Sequence, residues 1–348
     1  TDLVGADDAH TLVSSLSTRS NAGQNHGLLL SLGPLSGLSK VSRREMARSE
    51  YIARYGHRGP DEFELSVPRP AEDPSWLDQQ LAQFQASPVD VDAMLEKQHL
   101  AFETAWARLE RDHPKKAKNL QRRIDQVASL AHQREMARSE YIRDRWVVRT
   151  FAVRAGELTG LGEEVFFLTL QEVLDMLAGD DLAVEYIPVR KETHTRYSAL
   201  PPYPSIIRGC FDPSQWAADP HRRSDYFDAA SQIEGSEMLA DRSRVITGAP
   251  GSAGQVEGLV RYLKSAEDGA NLQEGEILVT TQTDIAWTLL FPRAAAIVTD
   301  VGAPLSHAAI VARELGIPAV VGCGDATMRL KTGDRVRVNG GRGVVEIL

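Results

Sequence analysis

The chain has 348 residues, of which 42% are hydrophobic and 25% charged, and its formal net charge is −9. This composition is typical of a soluble globular protein with more than one hydrophobic core. No apolar run approaches the roughly 18 residues of a membrane helix, no signal peptide opens the sequence, and no basic stripe is available for a nucleic acid. We therefore expect a cytoplasmic protein without a membrane or nucleic-acid partner.

The two cysteines, Cys210 and Cys323, lie far apart and outside any CxxC pattern. A disulfide framework or a zinc site needs clustered cysteines. We expect both to be plain buried or half-buried thiols, and we predict no metal site.

The first 240 residues have the pattern of helices. Apolar residues recur at three- and four-residue spacing in Trp76 to Gln85, Val89 to Asp112 and Ala117 to Gly160. That spacing is the signature of an amphipathic α-helix. It predicts a mainly α-helical domain over residues 1–218.

One nonapeptide occurs twice in this region. Arg44 to Ile52 and Arg134 to Ile142 both read REMARSEYI. The similarity does not extend outward, so the copies do not indicate a repeat architecture. Segmental copying or an artefact of sequence assembly explains them better than function, and we predict no second active site there.

A dense polar cluster, His57, Arg58, Asp61 and Glu62, stands in the segment Tyr51 to Pro74. One interpretation is a solvated turn with weak local ion pairs. The other is that the cluster lines a cleft, in which His57 acts as a base and Arg58 clamps an anion, with Glu62 beside them on the acceptor side.

The character of the sequence changes near residue 240. From Asp241 onward there are eleven basic and twelve acidic residues, a net charge of −1, which leaves −8 for the first 240. The stretch before the change, 219–248, is rich in Asp, Arg, Ser and Ala and has little apolar period. It predicts a linker or hinge, the alternative being an ordinary interdomain loop.

Short β-branched runs alternate with short helical segments in the last hundred residues, which predicts a compact α/β domain over 249–348. Helices are expected at Ile285 to Phe291 and His307 to Leu315. The glycine-rich segment Gly248 to Gly254 lacks a following Gly-Lys-Ser/Thr and precedes a strand, so a turn is a better interpretation than a phosphate loop. The strand candidates are Val256 to Leu263, Glu276 to Thr280, Ala294 to Thr299, Ala319 to Val321, Arg335 to Asn339 and Gly343 to Leu348.

The most informative segment is 299–322, TDVGAPLSHAAIVARELGIPAVVG. Ser306 is a candidate N-cap and places His307 in the first turn of a helix that ends before Gly316. Helix N-termini present unpaired N–H groups and partial positive charge, which would stabilise a phosphoryl group on the imidazole. A lone histidine at a helix start is otherwise an ordinary polar residue.

This segment resembles the phosphohistidine signature of the mobile domain of phosphoenolpyruvate (PEP)-utilising enzymes. The resemblance implies a swivelling C-terminal domain of the β/β/α type in which His307 is phosphorylated and dephosphorylated in each cycle. It implies that Thr299 contacts the phosphohistidine and that Gly302, Ser306 and Arg313 support its loop. The family usually has a second glycine where this chain has Ala303, and an alanine there would be strained if the position required a positive φ.

Three segments, 51–74, 158–170 and 201–213, resemble the helical middle region of rifampicin phosphotransferase-like and PEP synthase-like proteins. The resemblance implies an ATP-dependent phosphotransferase. ATP and Mg²⁺ would bind an ATP-grasp domain absent from this chain, and His307 would pass the phosphoryl group to a small-molecule hydroxyl. The alternatives are a component of a PEP synthase or pyruvate dikinase, with pyruvate as the partner, and a phosphocarrier that is not an enzyme.

Overall fold

The computed structural model describes Leu12 and residues 31–86, 89–230 and 244–348. The part before residue 219 is mainly helical, as predicted, and all three long predicted helices are confirmed. In chain order its α-helices are α1 Gly33–Ser42, α2 Arg48–Tyr55, α3 Trp76–Ala86, α4 Val91–Asp112, α5 Pro114–Thr159, α6 Leu170–Leu177, α7 Ile187–Ser198 and α8 Pro213–Ala218.

The long helix α5 is bounded by residues suited to its two ends. Pro114 opens its first turn, where a backbone N–H would have no partner in any case. Gly160 ends it in the left-handed region, with a φ of 74° that other residues rarely adopt. Between them α5 runs 46 residues. It contacts α4, α6 and the 3₁₀ segment Gly162–Phe167.

The two copies of the nonapeptide fold differently. In the first copy only Arg48 to Ile52 are helical, and Tyr51 is fully buried. The second copy lies wholly inside α5 and leaves the equivalent Tyr141 48% exposed. Its buried positions are instead Glu135, Ser139 and Ile142. Tertiary packing therefore decides which face of this peptide is used.

The C-terminal region is built on an eight-stranded sheet in the order β3-β10-β9-β5-β6-β7-β8-β4. Strands β5 to β8 are parallel neighbours, and the outer strands pair antiparallel. Two helices, α9 His307–Leu315 and α10 Ala326–Arg329, belong to this region. The strands are β3 Val245–Thr247, β4 Ala249–Ser252, β5 Gln255–Tyr262, β6 Ile277–Thr280, β7 Ala296–Thr299, β8 Ala319–Val321, β9 Arg335–Asn339 and β10 Val344–Ile347.

The structure differs from the sequence predictions at several points. The glycine-rich turn is strand β4, which pairs with β8 because Gly251 lets the two backbones approach closely. The helix predicted at 285–291 is two short 3₁₀ turns, Ile285–Leu289 and Phe291–Arg293, because Pro292 lacks an N–H for an α-helical hydrogen bond.

The predicted linker 219–248 is ordered at both ends. Strand β2, Tyr226–Asp228, pairs with β1, Ile206–Arg208, and β3 joins the large sheet because Ile246 is buried in its core. The middle of the predicted linker, 231–243, lies outside the described residues.

One hydrophobic cluster joins the helical region to the C-terminal sheet. We call it the apolar seam. From the helical side it includes Leu32, Leu35, Phe84 and Val91, and from the other side it includes, among others, Leu290, Phe291, Val311 and Leu315. Helix α9 packs on α4 here, and Gly316 leaves room for the side chain of Gln98. The seam holds the helix that carries His307 against the helical region.

Cys323 is buried but Cys210 is exposed, so the prediction of a buried or half-buried thiol is wrong for Cys210. Cys210 lies in the loop between β1 and α8, in a run of exposed residues that extends from 205 to 210. Among the described residues no helix combines the length and apolar character needed to cross a membrane.

Candidate functional site

His307 stands at the carboxyl end of the parallel strands, where loops that follow such strands commonly form sites. Strand β7 ends at Thr299, and a short loop leads into α9. Ser306 caps this helix, its Oγ accepting a hydrogen bond from the N–H of Ala309 at 3.5 Å. The helix ends at Gly316, whose φ is 69°. The predicted N-cap and C-cap are both confirmed.

The imidazole of His307 is held between two threonines. Its Nδ1 lies 3.2 Å from Oγ1 of Thr283, and its Nε2 lies 3.2 Å from Oγ1 of Thr288. The ring also packs on Phe291, with centroids 5.9 Å apart. Only 9% of His307 is exposed. A hydroxyl can donate or accept, so one threonine must turn aside before the ring nitrogen that accepts from it can react.

His307 is a neutral imidazole at neutral pH. Burial lowers its pKa to about 3, and the positive charges of Arg138 and Arg58 act in the same direction. The unprotonated ring keeps a lone pair on one nitrogen, which is the form that can act as a nucleophile.

The pKa of His57 is also lowered to about 3 by burial and by nearby arginines. Below about pH 6.5 each of these histidines binds a proton in the unfolded chain but stays unprotonated in the folded chain. Acid therefore favours the unfolded chain, and each histidine lowers the free energy of unfolding by about 1.4 kcal/mol for each pH unit of acidification. Asp300 has the opposite effect, because burial raises its pKa to about 6 and the folded state holds the extra proton.

Replacing His307 by asparagine is expected to make the loss of stability between about pH 6 and pH 4 shallower, since one of these two proton uptakes disappears. Urea unfolding of both proteins across this range measures the slopes. The Asp300 contribution is common to both proteins and cancels in the comparison. Equal slopes would contradict the buried, neutral state of His307.

Thr299 and Gly302 lie beside the start of α9. Thr299 is fully buried, and its Oγ1 has no hydrogen-bond partner among the described residues. A Cβ on Gly302 would lie 3.2 Å from Oγ1 of Thr299 and 3.2 Å from Oγ of Ser306, and 2.9 Å from a carbon of Val321. The loop therefore needs a glycine at 302. Ala303 is not among the non-glycine residues with a positive φ, so it carries no such strain.

Arg313 contacts two backbone carbonyl groups. Its guanidinium donates to the carbonyl oxygen of Gly251 at 3.1 Å and to that of Pro304. These two contacts tie the loop before α9 to strand β4.

The predicted acceptor-side residues form one buried group. Arg58 pairs with Glu62 at 2.7 Å, and Arg138 of α5 donates to the same carboxylate at 2.7 Å. His57 Nε2 lies 2.8 Å from Oγ of Ser139, while its Nδ1 is buried without a partner among the described residues. This group is a built cluster and not a solvated turn.

The segment that carries the cluster contacts the segment that covers His307. The charges of Arg58 and Arg138 are near enough to lower the pKa of His307. The backbone N–H of Asp61 donates to Asp284 at 3.1 Å, next in sequence to the threonine that holds Nδ1.

Comparison with known proteins decides the family. Residues 272–343 match the family described as "PEP-utilising enzyme, mobile domain", and residues 20–135 match "Rifampicin phosphotransferase fourth domain". Residues 272–343 of the chain are thus a match to the mobile domain of the PEP-utilising enzymes. His307 lies within the matched segment of that domain, and the cluster of His57, Arg58 and Glu62 lies within the other.

Several curated relatives are similar to the chain. It is 31% identical to a rifampicin phosphotransferase of Streptomyces sviceus over 90% of its own length, and 29% identical to one of Bacillus subtilis over 91%. A PEP synthase of Aeropyrum pernix is 48% identical over 31% of the chain and 13% of the relative. The chain spans 36% of the length of each of the two phosphotransferases.

Sequence reasoning missed four residues that contact the mobile-domain histidine or the cluster facing it. Thr283 and Thr288 precede α9 by about twenty residues and carry no motif, and Arg138 and Ser139 lie in the second nonapeptide. For Arg138 and Ser139 the available signal was an Arg-Ser pair within an amphipathic helix. Among the described residues no group of three or more His, Cys, Asp or Glu side chains could hold a metal ion.

Proposed function

We propose that His307 carries a phosphoryl group within an enzyme of the rifampicin phosphotransferase kind. ATP bound on an ATP-grasp domain outside this chain would phosphorylate His307, and the group would pass to a hydroxyl of a small molecule on the helical side. The observation that carries the proposal is a neutral imidazole in the first turn of α9 that faces the Arg58–Glu62–Arg138 cluster.

The chemistry takes place in two displacements. The ring-nitrogen lone pair attacks phosphorus, an N–P bond forms, and the P–O bond to the nucleotide breaks with its electrons on the leaving oxygen. The acceptor hydroxyl oxygen then attacks phosphorus, and the electrons of the N–P bond return to the ring. A covalent carrier divides one difficult transfer into two easier ones.

The cluster would receive the charge of the phosphoryl group. Two arginines share the single carboxylate of Glu62, so the group has an excess positive charge before the phosphohistidine arrives. Charge-assisted hydrogen bonds from guanidinium to phosphoryl oxygens are strong and directional. His57, with Nδ1 free of partners among the described residues, would take the hydroxyl proton, and a nearby phosphoryl dianion would raise its pKa toward that task.

Each domain would have one function in this transfer. Residues 1–218 would hold the acceptor, 249–348 would carry the phosphoryl group, and 219–248 would act as the hinge. ATP and Mg²⁺ would bind the ATP-grasp domain outside this chain.

The proposal is tested by a chase experiment. The chain, joined to an ATP-grasp donor domain, is labelled with β- or γ-labelled ATP and freed of nucleotide. Label in an acid-labile, base-stable form should map to the peptide of His307 and leave the protein when rifampicin is added as a probe acceptor. Transfer that requires ATP throughout, with no discharge from the isolated labelled protein, would contradict a carrier role.

A second candidate is a component that makes or uses PEP. It is favoured by the 48% identity to the Aeropyrum pernix PEP synthase over 31% of the chain. In the same chase, discharge by pyruvate with formation of labelled PEP would support it over the first candidate. A label that neither acceptor removes would favour a phosphocarrier that is not an enzyme.

A further inference from the structure

The two threonines that contact His307 have different surroundings. Thr288 lies in the 3₁₀ turn Ile285–Leu289 and is only 1% exposed. Thr283 lies on the loop after β6, is half-buried, and lines a cleft of about 1490 Å³ between the helical region and the C-terminal sheet. Thr283 therefore borders solvent, whereas Thr288 depends on hydrogen-bond partners within the protein.

The hydroxyl proton of Thr288 has one acceptor within reach. Among the residues that the structure describes, the hydrogen-bond partner of its Oγ1 is Nε2 of His307, at 3.2 Å. Two other threonines, Thr104 and Thr150, donate to a backbone carbonyl of the preceding turn, but the described structure has no such bond at Thr288. A buried hydroxyl whose proton has no acceptor is unfavourable. Thr288 is therefore expected to donate to Nε2.

The tautomer of His307 follows from this bond. A neutral imidazole has one N–H and one acceptor nitrogen, and burial keeps this ring neutral because it lowers the pKa to about 3. With Nε2 as the acceptor, the proton lies on Nδ1 and is donated to Oγ1 of Thr283, 3.2 Å away. The hydroxyl proton of Thr283 can then turn toward the cleft. In the opposite tautomer Nε2–H would donate to Thr288, and the hydroxyl proton of Thr288 would be buried without an acceptor.

The turn that carries Thr288 is held at its start and just beyond its end. Asp284 precedes it, and the carboxylate accepts from the N–H of Ala286 at 2.9 Å and from that of Asp61 in the helical region at 3.1 Å. Leu290, directly after the turn, is 1% exposed and belongs to the apolar seam. Contacts from both regions therefore place the Thr288 hydroxyl against the ring.

We propose that Thr283 and Thr288 are positioning residues that set the tautomer of His307, with Thr283 accepting the proton of Nδ1 and Thr288 donating to Nε2. This inference rests on the proposed function, in which it assigns the role of each ring nitrogen. The Thr288 hydroxyl turns aside, the lone pair of Nε2 attacks phosphorus, and the P–O bond to the nucleotide breaks with its electrons on the leaving oxygen. The proton stays on Nδ1, where Thr283 stabilises the positive charge that the ring acquires.

Nitrogen-15 NMR of the unphosphorylated 348-residue chain at pH 7 gives the first test. The two nitrogens of a neutral imidazole differ widely in chemical shift, according to which of them carries the proton. His307→Asn identifies the resonances of His307 by their loss. The wild type should show the Nδ1–H form. A ring protonated on Nε2, or an equal mixture of the two forms, would overturn the proposal.

Valine in place of Thr283 removes the hydroxyl but keeps the branched shape of the side chain. Thr283→Val should raise the fraction of the Nε2–H form, because Nδ1–H loses its acceptor, and Thr283→Ser should restore the Nδ1–H form. Thr280→Val is the matched control, since Thr280 is also nearly fully buried, at 1% exposed, and makes no described hydrogen bond to the ring. A tautomer that stays the same in Thr283→Val, or that shifts equally in Thr280→Val, would contradict the role of Thr283.

Single-turnover labelling, with the donor domain supplied, measures the effect on the reaction. Thr283→Val should slow the labelling of His307 by about tenfold, because less of the ring presents a lone pair on Nε2 and its positive charge loses a hydrogen bond. Thr288→Val should instead speed labelling several-fold, since no hydroxyl has to leave Nε2. Equal slowing in both variants would show a merely structural role and would remove the proposal.

Failure of this inference and failure of the proposed function are distinguishable. The tautomer is measured without nucleotide, donor domain or acceptor. A chain whose ring has the Nδ1–H form but never takes label would retain the positioning role of the two threonines and lose the carrier role. Label on His307 in a chain whose ring is protonated on Nε2 would retain the carrier and remove this inference.

Discussion

A chain with asparagine in place of His307 is expected to take no label from ATP and to transfer at a rate lower by on the order of 10⁴-fold or more. Asparagine can still bond to Thr283 or Thr288, but it has no nucleophilic ring nitrogen. Single-turnover labelling and steady-state transfer, both with the donor domain supplied, measure the two effects.

The matched control is His57→Asn. Both histidines are buried and neutral, and burial lowers the pKa of each to about 3, so loss of a buried imidazole is common to the two variants. His57→Asn should still take label on His307 and should be slowed mainly in discharge to the acceptor. Label retained in His307→Asn, or lost equally in both, would contradict the assignment.

Replacing Arg138 by methionine is expected to slow transfer to the acceptor by about 100-fold, the usual scale for losing one donor that stabilises developing charge. Arg138 shares Glu62 with Arg58 and is 26% exposed, so methionine can occupy its place with little loss of packing. Arg138→Lys should restore only part of the rate, because an ammonium lacks the planar fork. Rapid-quench measurement of the discharge step separates this effect from phosphorylation.

The chain supplies its own control for this variant. Arg48 occupies the same position in the first copy of the nonapeptide, but it is exposed and pairs with Asp78. Arg48→Met changes the same residue in the same local sequence and should leave the discharge rate unchanged. Equal effects of the two variants would show that the loss is general and not due to the cluster.

The signature around His307 could be read from the sequence because its geometry is local. A strand, a capping serine, a histidine in the first turn and a glycine at the helix end all lie within 24 residues, 299–322, and each follows from short-range rules. The helices α3 to α5 were equally accessible, because their apolar spacing extends over many turns.

The partners of the site could not be found in this way. Arg138 and Arg48 have identical neighbours in sequence, and only the packing of α5 gives one of them a shared carboxylate. The strand β4 was missed because Gly and Pro have low strand propensity, while the close approach to β8 requires Gly251. Both failures arise from contacts between residues distant in the chain.

If His307 travels between sites as proposed, the apolar seam would have a kinetic consequence. When α9 leaves the helical region, Phe84 and Val91 on one side and Val311 and Leu315 on the other lose their cover together, and water must wet them. The apolar contact would then hold the docked state together, and the rate of undocking would set an upper limit to the turnover rate. Hydrophobic association weakens on cooling, so the apolar seam would hold α9 less strongly in the cold. The rate of undocking should therefore fall less on cooling than the rates of the chemical steps do.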